Sequence, residues 1–178
     1  SVQFAYDDDG NVIRNNRGAG IAILAQNTAA GTFRILNNEI TGTTNDGATT
    51  PFAGEGIFVG TRSIDALAQS IATLSNSEIS GNRIGSLTAT SRNAGHGISF
   101  LLGDESTLSD LTISGNGIAN NGGDGINFQR RENAVIENGV TYDRTRPRLQ
   151  LGYIDPNTIT IVDLDNYRNY CGAVGKRD

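Results

Sequence analysis

Methionine and tryptophan are absent from the 178 residues, and cysteine (Cys171), histidine (His96) and lysine (Lys176) each occur once. One cysteine excludes an intrachain disulfide and any cysteine-based metal site. Cys171 is expected to be a small buried residue in a terminal cap. No apolar run approaches the ~20 residues that span a bilayer, so no membrane insertion is expected. Positive charge is scarce: 14 basic against 19 acidic residues leave a net charge of −5. Such a surface exerts no general pull on a phosphate backbone, and no nucleic-acid partner is expected. Arg130, Arg131, Arg144, Arg146 and Arg148 form a local basic exception, read either as solvated loop charge or as a spot for acidic sugars or a partner. Sustained helical periodicity is also missing, and Ser63 to Ser70 is the best candidate for a short helix. The chain does not begin with Met and shows no signal peptide, which points to a processed product or an excised piece.

What the chain has is glycine, 23 residues of it, with Asn and Thr interleaved among Ile, Val and Leu. That mixture predicts many short strands joined by tight turns. A Gly-x-Gly-Ile corner recurs at Gly18-Ala19-Gly20-Ile21, Gly54-Glu55-Gly56-Ile57, Gly95-His96-Gly97-Ile98 and Gly123-Asp124-Gly125-Ile126. Each opens an alternating strand. Ile21 and Ile23, Ile57 and Val59, Ile98 and Phe100, and Ile126 and Phe128 should face inward; Ala22, Phe58, Ser99 and Asn127 should face out.

A second motif alternates with the corners. It reads Asn38-Glu39-Ile40-Thr41-Gly42, Ser77-Glu78-Ile79-Ser80-Gly81-Asn82 and Leu111-Thr112-Ile113-Ser114-Gly115-Asn116, with a degenerate copy at Asn138-Gly139-Val140-Thr141. Strict alternation predicts a solenoid with a strand on each of two faces per coil. Glycine at the corners supplies φ > 0 where a Cβ would clash. Apolar residues stack from coil to coil at ~4.8 Å, and Asn near the turns can pair its amides along the stack.

The corners lie 36, 41 and 28 residues apart, more than a minimal coil needs. The excess is placed in insertions at Thr43 to Ala53, Gly60 to Ser70 and Ser86 to Ala94; two of the three fall between the second motif and the next corner, which puts those long loops on one face beside a working surface. Residues 1–140 are assigned to the coils. Residues 141–178, containing a final strand Thr158 to Val162, form a partial last coil and C-terminal cap over the open end. The N-terminal end looks less capped, so further coils or a partner chain are expected there.

These residues resemble the right-handed parallel β-helix repeat superfamily, with its pectin lyase-like fold, over roughly residues 12 to 140. Ile113-Ser114-Gly115-Asn116-Gly117-Ile118 followed by Asn121-Gly122-Gly123-Asp124-Gly125-Ile126 is typical of its bacterial repeat proteins. The resemblance implies an all-β solenoid of about four to five coils, a secreted or cell-surface location and a polysaccharide partner. It implies no single activity, because the fold hosts lyases, hydrolases, epimerases, tailspikes and adhesins. Gly95-His96-Gly97 is similar to the Gly-His-Gly motif of polygalacturonases. Asn45-Asp46-Gly47 matches their Asn-Thr-Asp segment only loosely, Glu55 stands where they carry two adjacent Asp, and no Arg-x-Lys follows. The epimerase signature also departs, since Asp155-Pro156 is followed by Asn157.

One constellation carries chemistry. If the corners align, Glu55, His96 and Asp124 form a column on successive coils, headed by Ala19. Carboxylates on either side of the only histidine could stabilise an imidazolium, giving a proton-transfer site or a weak cation site. With Arg92, Arg130 or Arg131 to neutralise a uronate and Phe58 as a stacking platform, the column is the candidate active site of a polysaccharide lyase or glycoside hydrolase. The other reading is a row of solvated corner positions. No resident cofactor or metal is expected, apart from a weakly held calcium ion. Four or five coils make a column of only ~20–25 Å. That length favours a non-catalytic glycan-binding or rigid structural module over an enzyme or an adhesin or tailspike-like fragment.

Overall fold

The computed structural model describes residues 2–4, 10–45, 54–61, 71–86, 91–103, 105–130, 135–143, 149–151 and 159–161, with side chains described between residues 10 and 129. These residues form three β-sheets, and every strand pair in them is parallel. Strands are numbered in chain order. The first sheet holds β1 (Val2–Phe4), β4 (Ala30–Gly31), β5 (Phe33–Leu36), β8 (Thr73–Ser75), β9 (Glu78–Ser80), β12 (Thr107–Ser114), β15 (Val135–Asp143) and β17 (Ile159–Ile161). The second holds β2 (Val12–Arg14), β6 (Glu39–Thr41), β10 (Arg83–Gly85) and β13 (Gly117–Ala119). The third holds β3 (Ile21–Leu24), β7 (Ile57–Gly60), β11 (Ile98–Leu102), β14 (Ile126–Arg130) and β16 (Leu149–Leu151). From β1 to β14 the chain visits first, second and third sheet in a fixed rotation, so each circuit lays one tier beside the last.

The registers stack like on like. Ile21, Ile57, Ile98, Ile126 and Leu149 are successive partners in the third sheet, followed two residues on by Ile23, Val59, Phe100, Phe128 and Leu151. Ile13, Ile40, Ile84 and Ile118 align in the second sheet, and Ile35, Ile79 and Ile113 in the first. Most of these side chains are fully buried and form one continuous core. Each buried Ile contributes about 2 kcal/mol of transfer free energy. Phe100 and Phe128 stack inside it, with ring centroids 4.3 Å apart and planes within 3°.

Between the first and second sheets runs an asparagine ladder. The Nδ2 groups of Asn11, Asn38 and Asn82 donate in turn to the Oδ1 atoms of Asn38, Asn82 and Asn116, each at 2.9 Å. The backbone N–H of each donor residue reaches the same oxygen. Asn82 Nδ2 also donates to the Ile35 and Ser80 carbonyls, at 2.8 and 3.0 Å. The residue before each ladder Asn is left-handed: Gly10, Asn37, Gly81 and Gly115, at φ between 56° and 67°. That backbone aims the Asn side chain inward instead of to solvent.

Three features differ from the sequence expectations. Each full tier has strands on three sheets, not two. The second motif therefore mixes two environments: Glu39–Thr41 is in the second sheet, whereas Glu78–Ser80 and Thr112–Ser114 are in the first, beside Arg34–Leu36. An x-Ile-x strand core preceding or following Asn fits both places, so identity of pattern concealed a shift of sheet. The copy at Asn138–Thr141 is also displaced, because Val140 pairs with Leu111 and not with Ile113. Finally, the segment carrying Arg144, Arg146 and Arg148 leads directly into the strand Leu149–Leu151, which pairs with β14. Its Leu-Gln-Leu alternation was hidden by flanking arginines. Residues 159–161 do pair as a strand with β15.

The expected helix at Ser63 to Ser70 and Cys171 lie outside the described residues. So do most of the three insertions and of the C-terminal segment.

Candidate functional site

The glycine corners sit between the second and third sheets, and they align tier on tier. The Gly20, Gly56 and Gly97 amides donate to the carbonyls of Glu55, His96 and Asp124, each at 2.9 Å. Ala19, Glu55, His96 and Asp124 thus occupy one column, as the repeat spacing predicts.

The second glycine of each corner is required by close approach. A Cβ at Gly20, Gly56 or Gly97 would lie 2.7, 2.6 or 2.5 Å from the carbonyl oxygen of Gly56, Gly97 or Gly125. It would also strike Ile40, Ile84 or Ile118, the central residue of the neighbouring second-sheet strand. The two motifs therefore interlock: the Ile of one fills the space left by the Gly of the other. Left-handed backbone, expected generally at these corners, occurs at the first glycine of two of them, Gly18 (φ 83°) and Gly54 (φ 88°).

The column is not a row of equivalent exposed positions. Glu55 is 4% exposed, whereas the His96 and Asp124 side chains retain 26% and 20%. His96 packs on Gly123, where a Cβ would lie 2.6 Å from Nδ1. The backbone N–H of Asp124 donates to His96 Nδ1 at 2.8 Å. Nδ1 is therefore the acceptor nitrogen, and the neutral ring carries its proton on Nε2. The Asp124 carboxylate oxygen stands 3.5 Å from the same nitrogen, longer than a normal N–H···O bond. With one lone pair committed to the backbone and the other nitrogen protonated, the neutral imidazole offers a donor, not a base. Among the described residues no three His, Cys, Asp or Glu side chains are grouped closely enough to hold a metal ion.

The remaining candidates are scattered. Arg92 is exposed. Arg130 ends β14 opposite Leu102, with its side chain undescribed, and Arg131 lies outside the described residues. Phe58 corrects the expectation of an exposed stacking platform: it is 2% exposed. It aligns with Ala22 and Ser99 on the face opposite Ile57 and Val59, and that face is covered at this tier.

Ser99 and Asn127, taken only as outward spacers in the sequence, are buried as well, at 5% and 6% exposure. They are direct partners on adjacent tiers. No pattern in the sequence distinguishes a covered outer face from a solvated one; the only hint is that Phe58, Ser99 and Asn127 carry no charge. On the other two sheets the corresponding faces are charged. Arg14 and Arg83 pair with Glu39 at 2.5 and 3.4 Å, and Arg34 pairs with Glu78 at 2.9 Å. The hydrogen bond from Arg14 is the main cause that holds the Glu39 carboxyl below its usual range, partly opposed by desolvation.

Compared with known proteins, the chain matches no family model, no curated protein and no solved structure.

Proposed function

We propose that the tiers are coils of a right-handed parallel β-helix, about four to five in number, and that the protein is a non-catalytic glycan-binding module of the cell surface or secreted space. The observation that carries the non-catalytic part is the Asp124 N–H bond to His96 Nδ1. It turns the only histidine of the chain into a strut between tiers. Its carboxylate neighbour in the column, Glu55, is shut away from solvent, so an accessible acid and base flanking one glycosidic or C5–H bond are not supplied by this column.

The glycan-binding part rests on the family resemblance and on the absence of charge among the described outward residues of the third sheet, of which Phe58, Ser99 and Asn127 are buried. A rigid spacer is the companion reading, supported by the stacked core and ladder. The experiment is incubation with acidic and neutral polysaccharides, following retention and the absorbance of unsaturated products. Retention without absorbance growth is expected. Absorbance growth abolished by His96→Ala would overturn the non-catalytic reading, and no retention on any polysaccharide would leave the spacer.

A further inference from the structure

We propose that His96 is a proton-operated latch between the third and fourth glycine corners: protonation of its ring moves the Nδ1 contact from the backbone amide of Asp124 to the carboxylate of the same residue. This latch operates whether or not the protein binds a glycan.

The two corners are zipped by backbone bonds on either side of the ring. The Gly123 N–H donates to the Gly95 carbonyl at 2.8 Å, and the Gly97 N–H to the Asp124 carbonyl at 2.9 Å. Between them the Asp124 N–H has a side-chain acceptor instead, His96 Nδ1 at 2.8 Å. Amides and carbonyls do not titrate, so this rung is the one that a proton can change. A protonated imidazole carries hydrogen on both nitrogens and accepts at neither. Two N–H groups would then face each other across 2.8 Å, and the rung has to open.

The receiving group is already in place. The Asp124 carboxylate oxygen stands 3.5 Å from the same Nδ1. A closing of roughly 0.7 Å brings it to the length of a charge-assisted N–H···O bond. A small turn of the ring and of the Asp124 side chain completes the exchange. The ring rests against Gly123, where a Cβ would lie 2.6 Å from Nδ1, so no side chain at that position blocks the turn. His96 and Asp124 keep 26% and 20% of their side-chain surface in solvent, which gives protons access. Among the described residues, the neighbouring corners bring Glu55 before the ring and Asp124 after it; Arg92, on the approach to the same corner, is exposed. The released imidazolium therefore meets carboxylates in the column and no cation.

The consequence is local. With the ring neutral, the fourth corner is tied to it through backbone; with the ring charged, through a side chain, and the Asp124 amide is left open to solvent. The Gly97 and Ile98 amides keep their carbonyl acceptors. His96 is the only histidine of the chain, so the histidine response is confined to one pair of tiers.

The test is nitrogen-15 NMR of the full chain across pH, with the ring nitrogen shifts reporting the protonation of His96. In the neutral ring, a scalar coupling across the hydrogen bond should join the Asp124 amide nitrogen to Nδ1. On protonation that coupling should vanish and the Asp124 carboxyl carbon should shift with the ring. The exchange protection factor of the Asp124 amide should fall at least tenfold, while those of Gly97 and Ile98 change less than twofold. His96→Gln, which keeps an acceptor but does not titrate, should abolish the fall. An Asp124 amide whose protection survives ring protonation overturns the proposal, and so does an equal fall in His96→Gln. A ring that stays neutral until the whole chain unfolds overturns it as well. Should the variant fold poorly, the coupling and the protection in the unaltered protein decide.

Discussion

The turn between the first and second sheets and the corner between the second and third both repeat on every full tier, but they repeat differently. In the turn the residue itself recurs: Asn11, Asn38, Asn82 and Asn116 each hold the next through the same pair of bonds. In the corner the flanking glycines recur while the middle residue changes from Ala19 to Glu55 to His96 to Asp124. A buried amide ladder admits one side chain, because each member must donate and accept along the stack. A corner held by backbone hydrogen bonds and a missing Cβ places no such demand on the residue between the glycines. Recurrence of a side chain marks a structural role, and variation between fixed glycines marks tolerance.

That contrast can be broken most severely at the corner glycine. Gly97→Val should cost more than about 3 kcal/mol in denaturant unfolding, since its side chain meets a carbonyl oxygen and Ile118 with no room to yield. Asn82→Ala should follow at about 2–3 kcal/mol, because it leaves the Asn38 and Asn116 amides without their partner. The middle positions should be far more forgiving. Ala19→Ser is expected within ~0.5 kcal/mol, and His96→Ala at about 1 kcal/mol for one lost hydrogen bond and ring packing. A large loss at Ala19 would end the claim of tolerance.

The smallest effect belongs to the exposed ion pairs. The Glu39 carboxyl is held low by Arg14, so its contribution is complete above the unfolded value of 4.5. It fades as pH falls through the lower folded value. Glu39→Gln should therefore remove a few tenths of a kcal/mol at neutral pH and slightly flatten the acid limb of a stability profile.

Much of the third sheet was legible from the sequence because its signal is local. Gly-x-Gly-Ile names both the turn and the first inward residue, and the observed register follows it at all four corners. The asparagine pairing was likewise legible in kind. The division between first and second sheets was not, because both carry an x-Ile-x strand beside Asn, and a repeat search cannot tell two similar strands in one circuit from one strand in two. Burial of Phe58, Ser99 and Asn127 was illegible for another reason: covering an outer face is a long-range event, absent from the period-2 pattern of the strand beneath it. The candidate column was placed correctly in space, but the bond that sets its chemistry comes from a backbone amide, which no side-chain motif records.

The central claim is that the corner is structural even where it carries histidine. Long-range proton–nitrogen correlation of the His96 ring at neutral-tautomer pH tests it most directly. The account predicts an unprotonated Nδ1 coupled to the Asp124 amide and a proton on Nε2. A proton on Nδ1, with the Nε2 lone pair free to solvent, would contradict it and return His96 to the list of bases.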